Sequence, residues 1–141
     1  MTQKEEVTGL IYKDESYAIV GACMAVYKNK GCGFLEPVYH ECLAIEFEIR
    51  GIPFVSKPLQ SLQYRGRTLV QTFAPDFLCY DKIILEIKAA FALVDEHRAQ
   101  VLNYLSATVC QLALLVNFGL YPRLEYERLL PRKHELADPR L

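Results

Sequence analysis

The stretch Ile83-Ile84-Leu85-Glu86-Ile87-Lys88-Ala89 constrains the fold more than any other part of the chain. It is apolar enough to be buried, yet it carries an acid and a base two residues apart. Side chains alternate across a strand. Ile83, Leu85, Ile87 and Ala89 therefore share one face, and Ile84, Glu86 and Lys88 the other. A charge in an apolar setting is costly unless it is paired, bound to a cation or at the mouth of a cleft. The chain must therefore form a buried strand whose second face opens on something polar.

Asp76 lies ten residues before Glu86, in Ala74-Pro75-Asp76-Phe77-Leu78-Cys79-Tyr80. This segment reads as a second short strand, Asp76 to Tyr80, joined to Ile83 to Ala89 through Asp81-Lys82. Two carboxylates converging on one point suit a hard cation such as Mg2+, which prefers oxygen ligands. Convergence depends on register. A regular two-residue turn at Asp81-Lys82 would pair Asp76 with Ile87 and put it on the face opposite Glu86. An odd loop or one bulge reverses that outcome. A loop of Tyr80, Asp81 and Lys82 sets Asp76 directly across from Glu86. No Asn-Gly or Asp-Gly favours the two-residue turn, so the expectation is an odd connection or a bulge between Asp76 and Glu86, with both carboxylates on one face.

The other elements follow from periodicity and punctuation. Asp14 is expected to cap a helix running to about Lys30, with apolar positions that include Tyr17, Ile19, Val20, Cys23, Met24 and Tyr27 at helical spacing and with Gly31 and Gly33 ending it. A second helix spans about Glu36 to Arg50, with Val38, Leu43, Ile45 and Phe47 as core contacts and Gly51 as its stop. Residues 52–64 are strand-like but broken by Pro53 and Pro58, and Arg65-Gly66-Arg67 turns into a strand at 68–73. Asp95 is expected to cap a third helix, Glu96 to Ser106. Strands at 109–117 and 124–130 flank the turn Phe118 to Pro122. The order is helix, helix, four or five strands, helix, two strands, an α/β architecture with a mixed sheet flanked by helices.

Bulk properties bound the function. The 141 residues fit one domain, with loose tails expected at 1–8 and 132–141. Hydrophobic residues are 52% of the chain, enough for a substantial core, and the net charge is -1, without the basic excess of a tight non-specific nucleic-acid binder. Cys23, Cys32, Cys42, Cys79 and Cys110 are odd in number and include no Cys-x-x-Cys pair. They are read as reduced thiols of a cytoplasmic protein, with no disulfide framework and no iron–sulfur cluster. The polar N-terminus is unlike a secretory signal, and Leu112 to Phe118 is too short to span a bilayer, so no membrane association is expected.

Pro75-Asp76 followed by Glu86-Ile87-Lys88 resembles the signature of PD-(D/E)XK nucleases. Gln100-Val101-Leu102-Asn103-Tyr104 is similar to the Gln-x-x-x-Tyr motif of RecB-type members, and its i, i+4 spacing puts Gln100 and Tyr104 on one helix face. Gly33-Phe34-Leu35-Glu36-Pro37-Val38-Tyr39 resembles the motif of bacterial GxxExxY proteins, small stand-alone members of that superfamily. Asn117-Phe118-Gly119 is similar to a segment after their penultimate strand. The resemblance covers about Tyr12 to Leu130.

It implies a restriction-endonuclease-like fold and a Mg2+-dependent nuclease, with Mn2+ as substitute, acting on nucleic acid and above all DNA. It implies Asp76 and Glu86 as metal ligands, Lys88 as the catalytic lysine and Glu36 as a supporting carboxylate facing the metal. Gln100, Tyr104 and Tyr39 would contact the substrate or the site's surroundings. His40 could approach the site, although a lone helix histidine is usually structural. Two other readings stand beside this one. The first is a catalytically weak or inactive binding or assembly module with the nuclease fold, motivated by small size and near-neutral charge; a homodimer or partner protein stays open. The second is a small-molecule metallohydrolase or structural metal site. Cleavage assays with Mg2+ or Mn2+ and a Lys88→Ala control separate them.

Overall fold

The computed structural model describes residues 10–132. The elements are α1 (Lys13–Lys30), α2 (Glu36–Arg50), β1 (Phe54–Ser56), β2 (Gln60–Tyr64), β3 (Arg67–Phe73), β4 (Phe77–Cys79), β5 (Ile83–Lys88), α3 (Asp95–Ala107), β6 (Leu112–Asn117) and β7 (Glu125–Leu129). Five strands make a central sheet in the order β1-β4-β5-β6-β7, while β2 and β3 form a separate two-stranded sheet. Only β5 and β6 are parallel; the other central pairs are antiparallel. A parallel pair needs a crossover, and α3 provides it. The expectation of a mixed sheet with helices on its faces is met.

Alternation along β5 decides what lies on each face. Ile83, Leu85 and Ile87 join Leu112, Leu114 and Val116 of β6 under α1 and α2. Ile84, Ala113 and Leu115 face Val101 and Leu105 of α3. Glu86 and Lys88 have the parity of Ile84 and so lie on the α3 side. Covering on both faces is why β6 is buried along its whole length.

The helix caps and faces differ from expectation. The cap of α1 is Tyr12 in the left-handed region, and Asp14 lies inside the first turn, where the helix dipole still favours it. Val94 rather than Asp95 precedes α3; Asp95 opens that helix and pairs with Arg98. On α1 the inward line is Ser16, Ile19, Val20, Cys23 and Val26, while Tyr17 is 81% exposed and Met24 about half exposed. On α2 the inward line is Tyr39, Leu43 and Phe47, while Val38 and Ile45 face outward. Tyr17 and Met24 lie seven apart on a stripe roughly 100° from the inward line of α1, and Val38 and Ile45 lie seven apart roughly 150° from that of α2. Tyr39 wins the inward position because its ring stacks on Phe118, with ring centres 4.6 Å apart.

The tails expected at 1–8 and 132–141 fall outside the described residues, except Arg132, whose guanidinium donates to Asn103 at 3.2 Å. Cys23, Cys79 and Cys110 are buried, and Cys32 and Cys42 partly so; all five are free thiols. Burial pushes the Cys79 thiol up to about 12, and the Cys23 and Cys110 thiols also rise.

Candidate metal centre

The connection between β4 and β5 is an odd loop, one of the two ways, with a bulge, in which Asp76 and Glu86 can share a face. Phe77 pairs with Leu85, Leu78 with Ile84 and Cys79 with Ile83, leaving Tyr80, Asp81 and Lys82 as a three-residue loop. Tyr80 and Asp81 both take positive φ, and the Lys82 N–H closes the turn on the Cys79 carbonyl. Lys82 is tethered by an ion pair to Glu15 at 2.7 Å and sits over the Tyr12 ring. Continued by one step, this register brings Asp76 opposite Glu86.

The two acids are locked together through the backbone. The Asp76 N–H donates to Glu86 Oε1 at 2.9 Å, and the Ile87 N–H donates to Asp76 Oδ2 at 2.8 Å. Each carboxylate is thus oriented by a peptide group of the opposite segment. The Asp76 carbonyl is held in turn by the Lys57 N–H at 2.9 Å and by His40 Nε2 at 3.2 Å. Because a carbonyl only accepts, Nε2 carries the proton in this contact. The His40 ring stacks on Phe77, with centres 4.2 Å apart.

Glu86 is buried, with 7% of its side chain exposed. Burial, reinforced by the neighbouring Asp76 charge, pushes its carboxyl from the ordinary 4.5 up to about 8. Lys88 Nζ lies 3.9 Å from Glu86 Oε2 and donates to Gln100 Oε1 at 2.8 Å. At 16% exposure the ammonium stays near the surface while its reach is limited by Gln100. Tyr104, one turn after Gln100, has its hydroxyl pushed up by burial and by the charges of Glu86 and Asp76. Its ring stacks on Phe73 at 4.8 Å. Arg98 grips Glu127 of β7 through two bonds of 2.8 and 2.6 Å, which anchors the first turn of α3 to the sheet.

Of the residues singled out from sequence, the structure therefore groups Asp76, Glu86, Lys88, Gln100 and Tyr104. Glu36 is exposed in the first turn of α2, on a cavity of about 160 Å3 that it shares with His40, Lys57, Asp76 and Ile87. Among the described residues no three His, Cys, Asp or Glu side chains come together as one ligand group. Tyr39 corrects the expectation of a substrate contact. It is fully buried, and its hydroxyl donates to the Gly31 carbonyl at 2.6 Å and accepts from the Phe34 N–H at 3.2 Å. It shapes the loop before α2 and cannot reach a substrate.

Two positions matter more than their sequence signals suggested. Asn117 Oδ1 accepts from the Ala90 and Gly119 N–H groups, and Asn117 Nδ2 donates to the Ala90 carbonyl and to Glu125. The Phe118 N–H donates to the Lys88 carbonyl at 2.8 Å. A Cβ on Gly119 would fall 2.3 Å from the Ala90 oxygen, so only glycine fits. The Asn117-Phe118-Gly119 segment thereby clamps the end of the strand that carries Lys88. His40 had a readable signal: it stands four residues after Glu36 and so shares its helix face.

This mixed sheet, with an acid on each of two adjacent segments and a lysine two residues beyond the second, is a nuclease-type arrangement. A family model of the PD-(D/E)XK nuclease superfamily matches residues 13–129, and the chain belongs to that superfamily. A solved structure, titled "Crystal structure of SSO0001", aligns with a TM-score of 0.55 at 17% identity, covering 67% of this chain and 50% of that one. The likeness is one of fold, and the chain spans about half the length of that protein. No curated protein matches. Among the described residues no helix is long and apolar enough to cross a membrane.

Proposed function

We propose that this protein is a Mg2+-dependent nuclease that hydrolyses phosphodiester bonds in DNA. The observation that carries the reading is the reciprocal lock of Asp76 and Glu86 across the β4–β5 hairpin, with Lys88 held by Gln100 on the same face. Two carboxylates forced together, Asp76 half-buried and Glu86 buried and pushed to about 8, are what a site looks like when its charge complement is a cation. One oxygen of each is oriented by a backbone N–H, and the remaining lone pairs suit a hard ion that completes its shell with water and substrate oxygens. Mg2+, or Mn2+ in its place, would supply Lewis acidity toward a phosphate and a more acidic bound water.

The protein's own groups have distinct tasks in this reading. Asp76 and Glu86 hold the ion, and the exposed Glu36 carboxylate across the small cavity adds negative charge on its rim. Lys88 presents protons to the attacking water or to the phosphate oxygens as negative charge builds on them. Gln100 keeps the ammonium aimed, and Tyr104 lies beside it with a hydroxyl able to donate to a phosphate. The RecB-type Gln-x-x-x-Tyr pair and the Glu of the GxxExxY motif are thus assigned to one site. His40 and Lys57 act indirectly, by holding the Asp76 carbonyl.

Gel cleavage of a labelled DNA substrate with Mg2+ or Mn2+ tests the proposal. Lys88→Ala should lower the rate by about a hundred-fold or more while the protein remains folded. Cleavage that survives in Lys88→Ala, or that persists in EDTA, refutes it.

A further inference from the structure

Beyond the metal centre, the β2–β3 hairpin stands apart from the molecule. Among the described residues it pairs with no strand of the central sheet. All of β3 is exposed except its last residue, Phe73, and Val70 is 95% exposed. A ribbon that contributes so little to the core needs another reason to keep its shape, and its shape is well defined. Tyr64 pairs with Arg67, and Arg65 and Gly66 both take positive φ, giving the tight turn that matches strand twist. Gln63 and Thr68 exchange side-chain hydrogen bonds just below it. A register shift between Ser61 and Gln63 adds twist to the ribbon.

Its charge is one-sided. From Ser56 to Ala74 the chain carries Lys57, Arg65 and Arg67 and no acid, although the whole protein has a net charge of -1. Both arginines are at the tip. The flanks are rich in groups that donate and accept at once: Gln60, Ser61, Gln63, Thr68, Gln71 and Thr72.

Its base is joined to the candidate site. Phe73 stacks on Tyr104, whose hydroxyl feels the Glu86 and Asp76 charges. Pro58 and Gln60 line a cavity of about 430 Å3 together with Ser106, Thr108 and Val109 at the end of α3. The hairpin therefore springs from the same side of the sheet as Glu86 and Lys88. From Phe73 to Arg67 is roughly 20 Å of strand at about 3.3 Å per residue.

We propose that the β2–β3 hairpin is a nucleic-acid-binding arm that lays its Arg65–Arg67 tip against the backbone of double-stranded DNA, away from the bond held at the metal centre. This rests on the nuclease reading for the identity of the substrate. A two-stranded ribbon fits the major groove of a duplex, and guanidinium forks suit phosphate oxygens. The arm concentrates positive charge, with no acid between Ser56 and Ala74, on a chain whose net charge is -1, which meets the main compositional objection to a DNA-acting protein.

The test measures duplex binding by fluorescence anisotropy across a salt series, with Mg2+ present and in a Lys88→Ala background so that the DNA stays intact. Adding Arg65→Ala and Arg67→Ala should weaken binding about ten-fold and reduce the slope of log K against log salt by roughly two. In the otherwise native protein, the same two changes should leave hydrolysis of the small diester bis(p-nitrophenyl) phosphate unchanged, because that substrate cannot reach the tip. Unchanged affinity and slope overturn the arm. So does a protein that hydrolyses the small diester but binds no duplex. Arm-dependent dimerisation seen by sedimentation, with duplex binding unaffected, also overturns it and makes the ribbon a contact between two copies of this chain. Arm-dependent duplex binding without any hydrolysis leaves the arm standing and removes the catalytic reading instead.

Discussion

Replacing Glu86 by glutamine should stabilise the metal-free protein, and by more as the pH rises. Glutamine keeps an oxygen that can accept the Asp76 N–H, which in the native protein is bonded to Glu86 Oε1 at 2.9 Å, and it removes the charge. In the fold the Glu86 carboxyl is pushed from 4.5 to about 8, first by burial and then by the Asp76 charge. The folded protein therefore keeps a proton that the unfolded chain releases above 4.5. A group with a raised folded pKa contributes stability that is whole below its unfolded pKa and is lost as the pH climbs through the folded one. For Glu86 the window is from about 4.5 to about 8. Within it stability falls steadily as the pH rises, and the whole effect is on the order of a few kcal/mol. Urea unfolding of wild type and Glu86→Gln in EDTA at pH 5, 7 and 9 measures it. The variant's advantage should be small at pH 5, grow to pH 7 and level off near pH 9. Millimolar Mg2+ should then raise the stability of wild type and leave the variant almost unmoved, since an ion that binds only the fold stabilises it. An advantage that does not change with pH, or a variant less stable than wild type at pH 9, would refute the account of a carboxyl held neutral by its surroundings.

Gly119→Ala should destabilise the protein by about 2–4 kcal/mol, because the new Cβ would overlap the Ala90 backbone; thermal unfolding within about 0.5 kcal/mol of wild type contradicts the clamp described for Asn117 to Gly119. Tyr39→Phe should cost about 1–2 kcal/mol through the lost bonds to Gly31 and Phe34, with the rate of cleavage unaltered at saturating DNA. A large fall in that rate with stability unchanged would return Tyr39 to the site.

The strand pattern was legible because it is a local property. Alternation puts Glu86 and Lys88 on one face whatever the rest of the chain does, and parity asked for an odd loop or a bulge if Asp76 was to share that face, of which the register shows the loop, Tyr80 to Lys82. Helical spacing likewise put Gln100 and Tyr104 on one side of α3. Spacing says which residues share a face, but not which face turns inward. Tyr17, Met24, Val38 and Ile45 have apolar side chains at helical intervals, yet they lie outward because the sheet receives the neighbouring stripes. Tyr39 was expected, through its place in the Gly33 to Tyr39 motif, to contact the substrate or the site's surroundings, and only the Phe118 ring and the Gly31 carbonyl made it a core residue. The hold of His40 on the Asp76 carbonyl joins residues 36 apart in sequence, a contact that exists only once α2 has packed against the β1–β4 edge. The detachment of β2 and β3 was equally invisible, since their alternation is the same whether they extend the central sheet or leave it. The sequence by itself determined which acid and base side chains share a face, through residue type and local parity. Tertiary structure alone decided which elements surround that chemistry, because burial is a property of the partner surface and not of the segment being buried.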